Sequence, residues 1–144
     1  MIRTGTALLT ILLLSAPLGA QGGAALYVPS AKATPIIERG GRLAATPGVL
    51  VESVKRTSAG QVEIHALDID TFYVIDGEAT LVVGGTASGL KRTAANEQRG
   101  TTITGGQTYA LRKGDVVVIP AGTPHWFKEV PRSVVYFTVK SRNR

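Results

Sequence analysis

The sequence contains no cysteine, and this absence removes several kinds of protein from consideration. Without cysteine the chain cannot form disulfides, bind a metal through thiolates, use a cysteine nucleophile or carry a lipid on an N-terminal cysteine. Histidine is scarce as well, because His65 and His125 are the two in the whole chain. Any chemistry that depends on imidazole must therefore use one or both of these positions.

The sequence also lacks a long hydrophobic run, and the apolar segment near its N-terminus covers only residues 7–14. A membrane-spanning helix needs about 20 apolar residues, so this segment is too short to span comfortably. Arg3 before it and the small residues after it are typical of a secretory signal peptide over 1–20, cleaved at about 20–24. An uncleaved N-terminal anchor is the alternative. Both predict a secreted or periplasmic domain, and cleavage would leave no stable membrane span.

The charge pattern lacks the clustering expected of a nucleic-acid-binding protein. The formal net charge is +6, but the basic residues are scattered except in the stretch 140–144. No stripe of basic residues alternating with aromatic ones is present, so we expect no nucleic-acid partner. A positively charged surface favours small anionic molecules or components of the cell envelope instead.

Most of the chain is predicted to form short strands. They are expected at 49–55, 61–66, 70–75, 79–83, 107–111, 115–119, 125–130 and 133–140, and 101–104 is a candidate for an additional short strand. Asp76-Gly77 is typical of a two-residue hairpin turn, and Gly105-Gly106 indicates a second turn. The polar, aperiodic stretch 86–100 is interpreted as an inserted surface loop. The pattern therefore predicts an all-β fold, a small antiparallel barrel or jelly roll of about six to eight strands.

The 144 residues allow one domain, which we place at 48–140. An N-terminal arm at 25–47 is expected to pack outside it, with a possible edge strand beginning at Tyr27-Val28. Pro35 and Gly40-Gly41 interrupt any helical period there, so no helix is expected in the arm. The last residues, 141–144, form a basic tail.

Two segments present side chains suited to a metal site or to acid–base chemistry. Strand alternation places Glu63 and His65 on one face, and Asp70 opens the following strand. The second segment is a buried strand followed by the stiff corner 120–124, which holds His125 at the start of the next strand. Two alternatives remain open: each histidine could be a hydrogen-bonded core residue, and Glu63 could pair with a nearby arginine or lysine.

The spacing of Gly114, Pro120, Gly122 and His125 resembles the second sequence motif of the cupin superfamily. The last position of that motif departs from the family, since Glu129 stands where asparagine is usual. The match is specific, and the similarity as a whole covers roughly residues 49–140. It implies the small antiparallel barrel that the strand pattern also predicts.

The first cupin motif is present only in a degenerate form. Anchored on Gly77, it becomes Glu63-x-His65-x4-Asp70, with glutamate replacing the first histidine and aspartate replacing the usual glutamate. In the usual cupin site, three histidines and one carboxylate residue bind a divalent metal inside the barrel. The resemblance therefore implies that the metal ligands here are Glu63, His65, Asp70 and His125, a set suited to Fe, Mn, Zn or Ni.

The resemblance leaves two functions open. One is a metal-dependent enzyme of the oxygenase, isomerase or lyase type, acting on a small polar or anionic molecule. The other is a non-catalytic module that binds or senses a small ligand without metal. A fold alone does not select a reaction, so the sequence does not choose between them. By similarity to cupins we also expect a homodimer.

Overall fold

The computed structural model describes residues 23–142. The predicted signal peptide at 1–20 and the last two residues of the predicted basic tail lie outside this range. Within the range the elements are α1 (Ser30–Arg39), β1 (Gly41–Thr46), β2 (Val49–Arg56), β3 (Val62–His65), β4 (Asp68–Val83), β5 (Thr86–Ser88), β6 (Lys91–Ala94), β7 (Glu97–Gly100), β8 (Thr102–Thr104), β9 (Gln107–Arg112), β10 (Val116–Ile119), β11 (His125–Glu129) and β12 (Val134–Arg142). No helix in this part of the chain is both long and apolar enough to cross a membrane.

The strands form one large antiparallel sheet and one small one. In the large sheet the order is β1-β2-β12-β4-β11-β3-β7-β6, and β9 and β10 also pair with β4. The small sheet contains β5 and β8. Every pairing between described strands is antiparallel. The predicted all-β jelly roll is therefore confirmed, although the described residues form twelve strands, more than expected.

The sixteen-residue strand β4 runs through the middle of the large sheet. Its first half lies between β12 and β10, and its second half lies between β11 and β9. The predicted hairpin at Asp76-Gly77 is wrong, because the strand continues through both residues. The register with β12 shifts between Val135 and Tyr136, so one extra residue of β4, Ile75, forms a bulge there. Gly77 follows the bulge with a φ of 80°, and glycine adopts such an angle in a bulge as readily as in a turn.

The predicted surface loop at 86–100 is also wrong, because this stretch forms β5, β6 and β7. β7 pairs with β3 along its whole length, and β6 covers the outer edge of β7. All four residues of β6 are exposed, so the strand carries no apolar alternation by which the sequence could be recognised. β5 pairs with β8 through the segment 102–104.

The N-terminal arm contains a helix that the sequence did not predict. α1 includes Pro35, and residues 23–29 before it form no strand, so the expected edge strand at Tyr27-Val28 is absent. Pro35 removes one helical hydrogen bond, and the helix packs against β2. In this contact the Ser53 hydroxyl donates a hydrogen bond to the Ile37 carbonyl at 3.1 Å. Gly40 ends the helix, donating its N–H to the Ile36 carbonyl.

The hydrophobic core lies on the inner face of the large sheet, next to the cavity described below. It is centred on a group of aromatic side chains: Phe72, Phe127 and Tyr136. The rings of Phe127 and Tyr136 stack with centroids 5.0 Å apart, and Phe72 lies 5.0 Å from Tyr136. These rings form one wall of the cavity, so core packing fixes its shape.

Gly77→Ala should destabilise the fold strongly, because a Cβ at this position would overlap the backbone of Ser133 and approach Val134 Cα to 3.1 Å. Together with the unfavourable φ, we expect a loss of roughly 2–5 kcal/mol in the free energy of unfolding, measured by urea denaturation. Gly48→Ala is the matched control, since Gly48 has a φ of 86° but no atom within 4 Å of the added Cβ. Equal losses of unfolding free energy in the two variants would contradict the close contact between residue 77 and the backbone of Ser133.

Candidate metal centre

Two strands bring the two histidines together inside the barrel. His65 is the last residue of β3, and His125 is the first residue of β11. The two strands pair where Glu63 lies opposite His125, so the ring centroids of the histidines are 5.2 Å apart. Both histidines are buried, and Glu63 is partly buried beside them. Potential ligand atoms of Glu63, His65 and His125 all lie within 4.8 Å of one another.

Asp70, the fourth predicted ligand, lies against both histidines. It is on β4 and is 2% exposed. Its Oδ2 atom is 3.2 Å from His65 Nε2 and 3.5 Å from His125 Nε2. Asp70 does not belong to the group of three that lies within 4.8 Å, and its other oxygen accepts a hydrogen bond from Lys140. The structure thus brings three predicted residues together and places the fourth at their side.

Both imidazole rings are held through their Nδ1 atoms. His65 Nδ1 lies 2.7 Å from both carboxylate oxygens of Glu97, to which it donates its proton. His125 Nδ1 donates to the Thr123 carbonyl at 3.1 Å. Both Nε2 atoms consequently face the carboxylate of Asp70. Metal-ligating histidines in proteins commonly donate the other ring N–H to a carboxylate or a carbonyl in this way.

The distances among these atoms fit the coordination shell of a small divalent ion. Two ligand atoms in a tetrahedral arrangement lie about 3.4 Å apart when each is about 2.1 Å from the metal. The two Nε2 atoms are 3.2 and 3.5 Å from Asp70 Oδ2, and His65 Nε2 is 3.5 Å from Glu63 Oε2. The donor set, two imidazoles and two carboxylates, also suits such an ion.

Three basic side chains balance the acidic ones in this region. The ammonium of Lys140 is 2.8 Å from Asp70 Oδ1 and 3.0 Å from His65 Nε2. Arg56 donates to Glu63 at 2.8 Å. On β7, Arg99 donates to Glu97 at 2.9 Å. Each carboxylate close to the histidines therefore has a basic partner of its own.

The surroundings shift the pKa values of the two histidines in opposite directions. Burial lowers the pKa of His65, but hydrogen bonds to Asp70 and Glu63 and the charge of Asp70 outweigh this effect and raise the pKa to about 10. Burial lowers the pKa of His125 below its ordinary value, and the Thr123 carbonyl only partly opposes this. At neutral pH, His125 is therefore a neutral imidazole, whereas His65 carries a proton that metal binding would have to displace.

The neighbouring carboxylic acids remain ionised, and the phenol remains neutral. Burial raises the pKa of Asp70, but hydrogen bonds from His65 and Lys140 outweigh it and hold the pKa below its usual value. Burial likewise raises the pKa of Glu63, and His65 with the nearby arginines outweighs it and lowers this pKa far below its usual value. Burial raises the pKa of Tyr136 to about 12.

These residues face a cavity of about 280 Å³ in the barrel. Its acidic and basic lining residues are Glu52, Arg56, Glu63, Asp70, Glu97, Arg99 and Lys140. Four carboxylates and three basic groups give a net charge of −1 when both histidines are neutral. The cavity is also lined by Thr138, whose hydroxyl oxygen is buried and has no hydrogen-bond partner among the described residues.

Sequence reasoning missed several residues of this site. Glu97 and Arg99 lie in the stretch that was interpreted as a loop, so nothing connected them to His65. Lys140 could have been found, because strand alternation from the buried Tyr136 through Thr138 places it on the inner face of β12. A lysine at such a position is unusual and indicates an acidic partner.

The raised pKa of His65 predicts how the stability of the metal-free protein depends on pH. The protonated ring stabilises the fold fully below its usual pKa of about 6.5, and this contribution is lost as the pH rises through about 10. We expect the free energy of unfolding, measured by urea denaturation with a chelator present, to fall by a few kcal/mol between about pH 7 and 9.5. His65→Gln should remove most of this slope. If the free energy of unfolding of His65→Gln falls with pH as steeply as that of the wild type, groups other than His65 cause the pH dependence.

Comparison with known proteins agrees with this architecture. The cupin family profile matches residues 45–144 of the chain. No curated protein sequence matches it. Among solved structures, the cupin domain of Cnp3 from Schizosaccharomyces pombe is similar with a TM-score of 0.53 and 15% identity, covering 72% of this chain and 60% of that one.

Two further structures show the same fold. A cupin 2 conserved barrel domain protein from Rhodopseudomonas palustris is similar with a TM-score of 0.50 and 20% identity, over 73% of this chain and 62% of that one. The DMSP lyase DddQ from Ruegeria pomeroyi is similar with a TM-score of 0.52 and 14% identity, over 73% and 47%. At these identities the likeness shows the fold alone. Because the family profile covers residues 45–144, well over half of the sequence, the chain belongs to the cupin family.

Proposed function

We propose that this protein is an exported cupin that holds one divalent metal ion in its barrel and binds or converts a small polar or anionic molecule. The observation that carries the proposal is the orientation of the two histidines. Both Nε2 atoms face Asp70 Oδ2, while both Nδ1 atoms are held from behind by Glu97 and the Thr123 carbonyl. The proton of His125 is on Nδ1, so the lone pair of its Nε2 faces a carboxylate, an arrangement that a shared cation would stabilise.

In this proposal His65, His125 and Glu63 are metal ligands, and Asp70 is the fourth, as the resemblance implied. Iron, manganese, zinc and nickel all suit the donor set. When bound, such an ion supplies a positive charge that can polarise a carbonyl or carboxylate of the small molecule in the cavity. Glu97 and the Thr123 carbonyl keep the proton of each imidazole on Nδ1, which leaves Nε2 for the ion. The aromatic wall excludes water from one side of the cavity.

The charge of the cavity favours an anionic molecule. Its lining carries −1 with neutral histidines, so one divalent ion brings the net charge to +1. The volume of about 280 Å³ limits the ligand to a small molecule. The unpaired hydroxyl of Thr138 would also favour a ligand with a polar group on that side.

The alternative, a binding module without metal, is favoured by one observation. The ammonium of Lys140 already occupies space between Asp70 and His65, where it neutralises the buried carboxylate without any ion. Metal analysis separates the two functions first. Turnover of small carboxylic acids and sugars by the metal-loaded protein, compared with its His125→Ala variant, then separates an enzyme from a metal-containing binding protein.

Export and dimerisation complete the proposal. The signal peptide predicted at 1–20 supports a secreted or periplasmic location, and the similarity to cupins supports a homodimer. We also propose that the protein does not act on nucleic acids, because its basic residues are scattered and several of them pair with carboxylates inside the barrel.

His65→Ala and His125→Ala should each abolish stoichiometric metal binding, because each removes an imidazole ligand that no other histidine can replace. Metal content after loading and desalting, measured by atomic spectroscopy, tests this. Glu129→Ala is the control, since Glu129 lies on the same strand as His125 but is exposed. Circular dichroism verifies that the variants remain folded. Full metal content in both histidine variants would refute the proposed centre.

Glu97→Gln should weaken metal binding by about 10- to 100-fold, because the amide can still accept the proton of His65 Nδ1 but no longer supports the ring with a negative charge. Glu129→Gln makes the same change at an exposed position and should bind like the wild type. Dissociation constants from isothermal titration calorimetry with Zn²⁺ provide the measurement. Equal affinities for wild type and Glu97→Gln would exclude this supporting role.

A further inference from the structure

Lys140 is the basic side chain that lies closest to both a proposed ligand carboxylate and a proposed ligand nitrogen. It stands directly opposite Asp70 in the ladder between β12 and β4. Its ammonium is 2.8 Å from Asp70 Oδ1 and 3.0 Å from His65 Nε2. The Lys140 side chain is 20% exposed, whereas that of Asp70 is 2% exposed. The side chain of Lys140 can therefore change its conformation more easily than that of Asp70.

In the metal-free protein, the lone pair of His65 Nε2 either accepts a hydrogen bond or holds a proton. When the ring is neutral, the ammonium of Lys140 donates a hydrogen bond to Nε2 at 3.0 Å. When the ring is protonated, Nε2 donates to Asp70 at 3.2 Å. A metal ion needs this same lone pair and the same carboxylate. The ammonium and the ion thus compete for two of the four proposed ligands.

We propose that Lys140 is a built-in counter-cation of the site, so that the ion binds only in exchange for the ammonium, which withdraws from Asp70 and His65. The inference rests on the proposed metal centre and adds a residue that sets its affinity. Two positive charges held within a few ångströms of each other inside a barrel repel strongly, since little water is present to screen them. The lysine therefore lowers the affinity of the wild-type protein for divalent ions.

A second cavity gives the displaced side chain a place to go. Lys140 also lines a second cavity of about 320 Å³, together with Asp68 and Arg142. Asp68 accepts a hydrogen bond from Arg142 at 3.0 Å and has a second carboxylate oxygen available to an ammonium. Lysine has a long flexible stem, so a change of rotamer can move the charge without moving the strand. The exchange needs no rearrangement of the barrel.

The proposal predicts that removing the charge of Lys140 tightens metal binding. Lys140→Gln keeps a hydrogen-bond donor beside Asp70 and removes the positive charge, and Lys140→Met removes both. We expect each variant to bind Zn²⁺ about 10- to 1,000-fold more tightly than the wild type. Lys140→Arg keeps the charge and should stay within a few-fold of the wild type. Lys55→Gln is the matched control at an exposed residue of β2, with the same change of net charge and no expected effect.

Isothermal titration calorimetry of the metal-stripped full-length protein with Zn²⁺ at pH 8 provides the affinities. The shift of the melting temperature on adding Zn²⁺ gives a second readout for any variant that is too unstable for calorimetry. Tighter binding by Lys140→Gln than by Lys140→Arg and Lys55→Gln supports the proposal. The same result with no detectable binding by the wild type also supports it, and then shows that Lys140 lowers the affinity of the wild type for Zn²⁺ below the range that calorimetry measures.

Three other outcomes overturn the inference. If Lys140→Gln and Lys140→Met bind like the wild type while His125→Ala binds nothing, the metal centre stands but Lys140 does not compete with the ion. If Lys140→Gln and Lys55→Gln tighten binding equally, the effect belongs to net charge alone. If no variant binds Zn²⁺, both this inference and the proposed metal centre are wrong.

Discussion

A buried carboxylate must have a positive partner, and the site of this protein depends on how that requirement is met for Asp70. Its side chain is 2% exposed, and an isolated charge there would be very costly. Lys140 and His65 meet the requirement in the metal-free protein. A divalent ion would meet it as well. The two proposed functions, with metal and without, therefore differ in which positive group neutralises Asp70.

The pairing of strand β4 with its neighbours determines which side chains lie next to Asp70. Asp70 lies in the half of β4 that pairs with β12, so the partner Lys140 is placed opposite it by the ladder itself. Beyond the bulge near Gly77, the other half pairs with β11, the strand that begins with His125. Because one strand contacts both neighbours, a distortion of the bulge would also change the relative position of Asp70 and His125.

Parts of this arrangement could be predicted and others could not, and the difference follows from the range of the interactions. Glu63 and His65 share a strand, so alternation alone predicted that they lie together. The role of Glu97 depends on the pairing of β7 with β3, which joins residues far apart in the chain. Short polar strands at the edge of a sheet have no periodic signal, so 86–100 was mistaken for a loop.

The sequence by itself determined the fold class through the period of its strands. Its resemblance to the cupin motifs, carried by local glycines, prolines and two histidines, implied the family and the four candidate ligands. The tertiary structure decided whether Asp76-Gly77 was a turn or a bulge, since β12 continues across it. It also decided that Asp70 faces Lys140. Such partners are set by the register of strands distant in sequence, and no local pattern records that register.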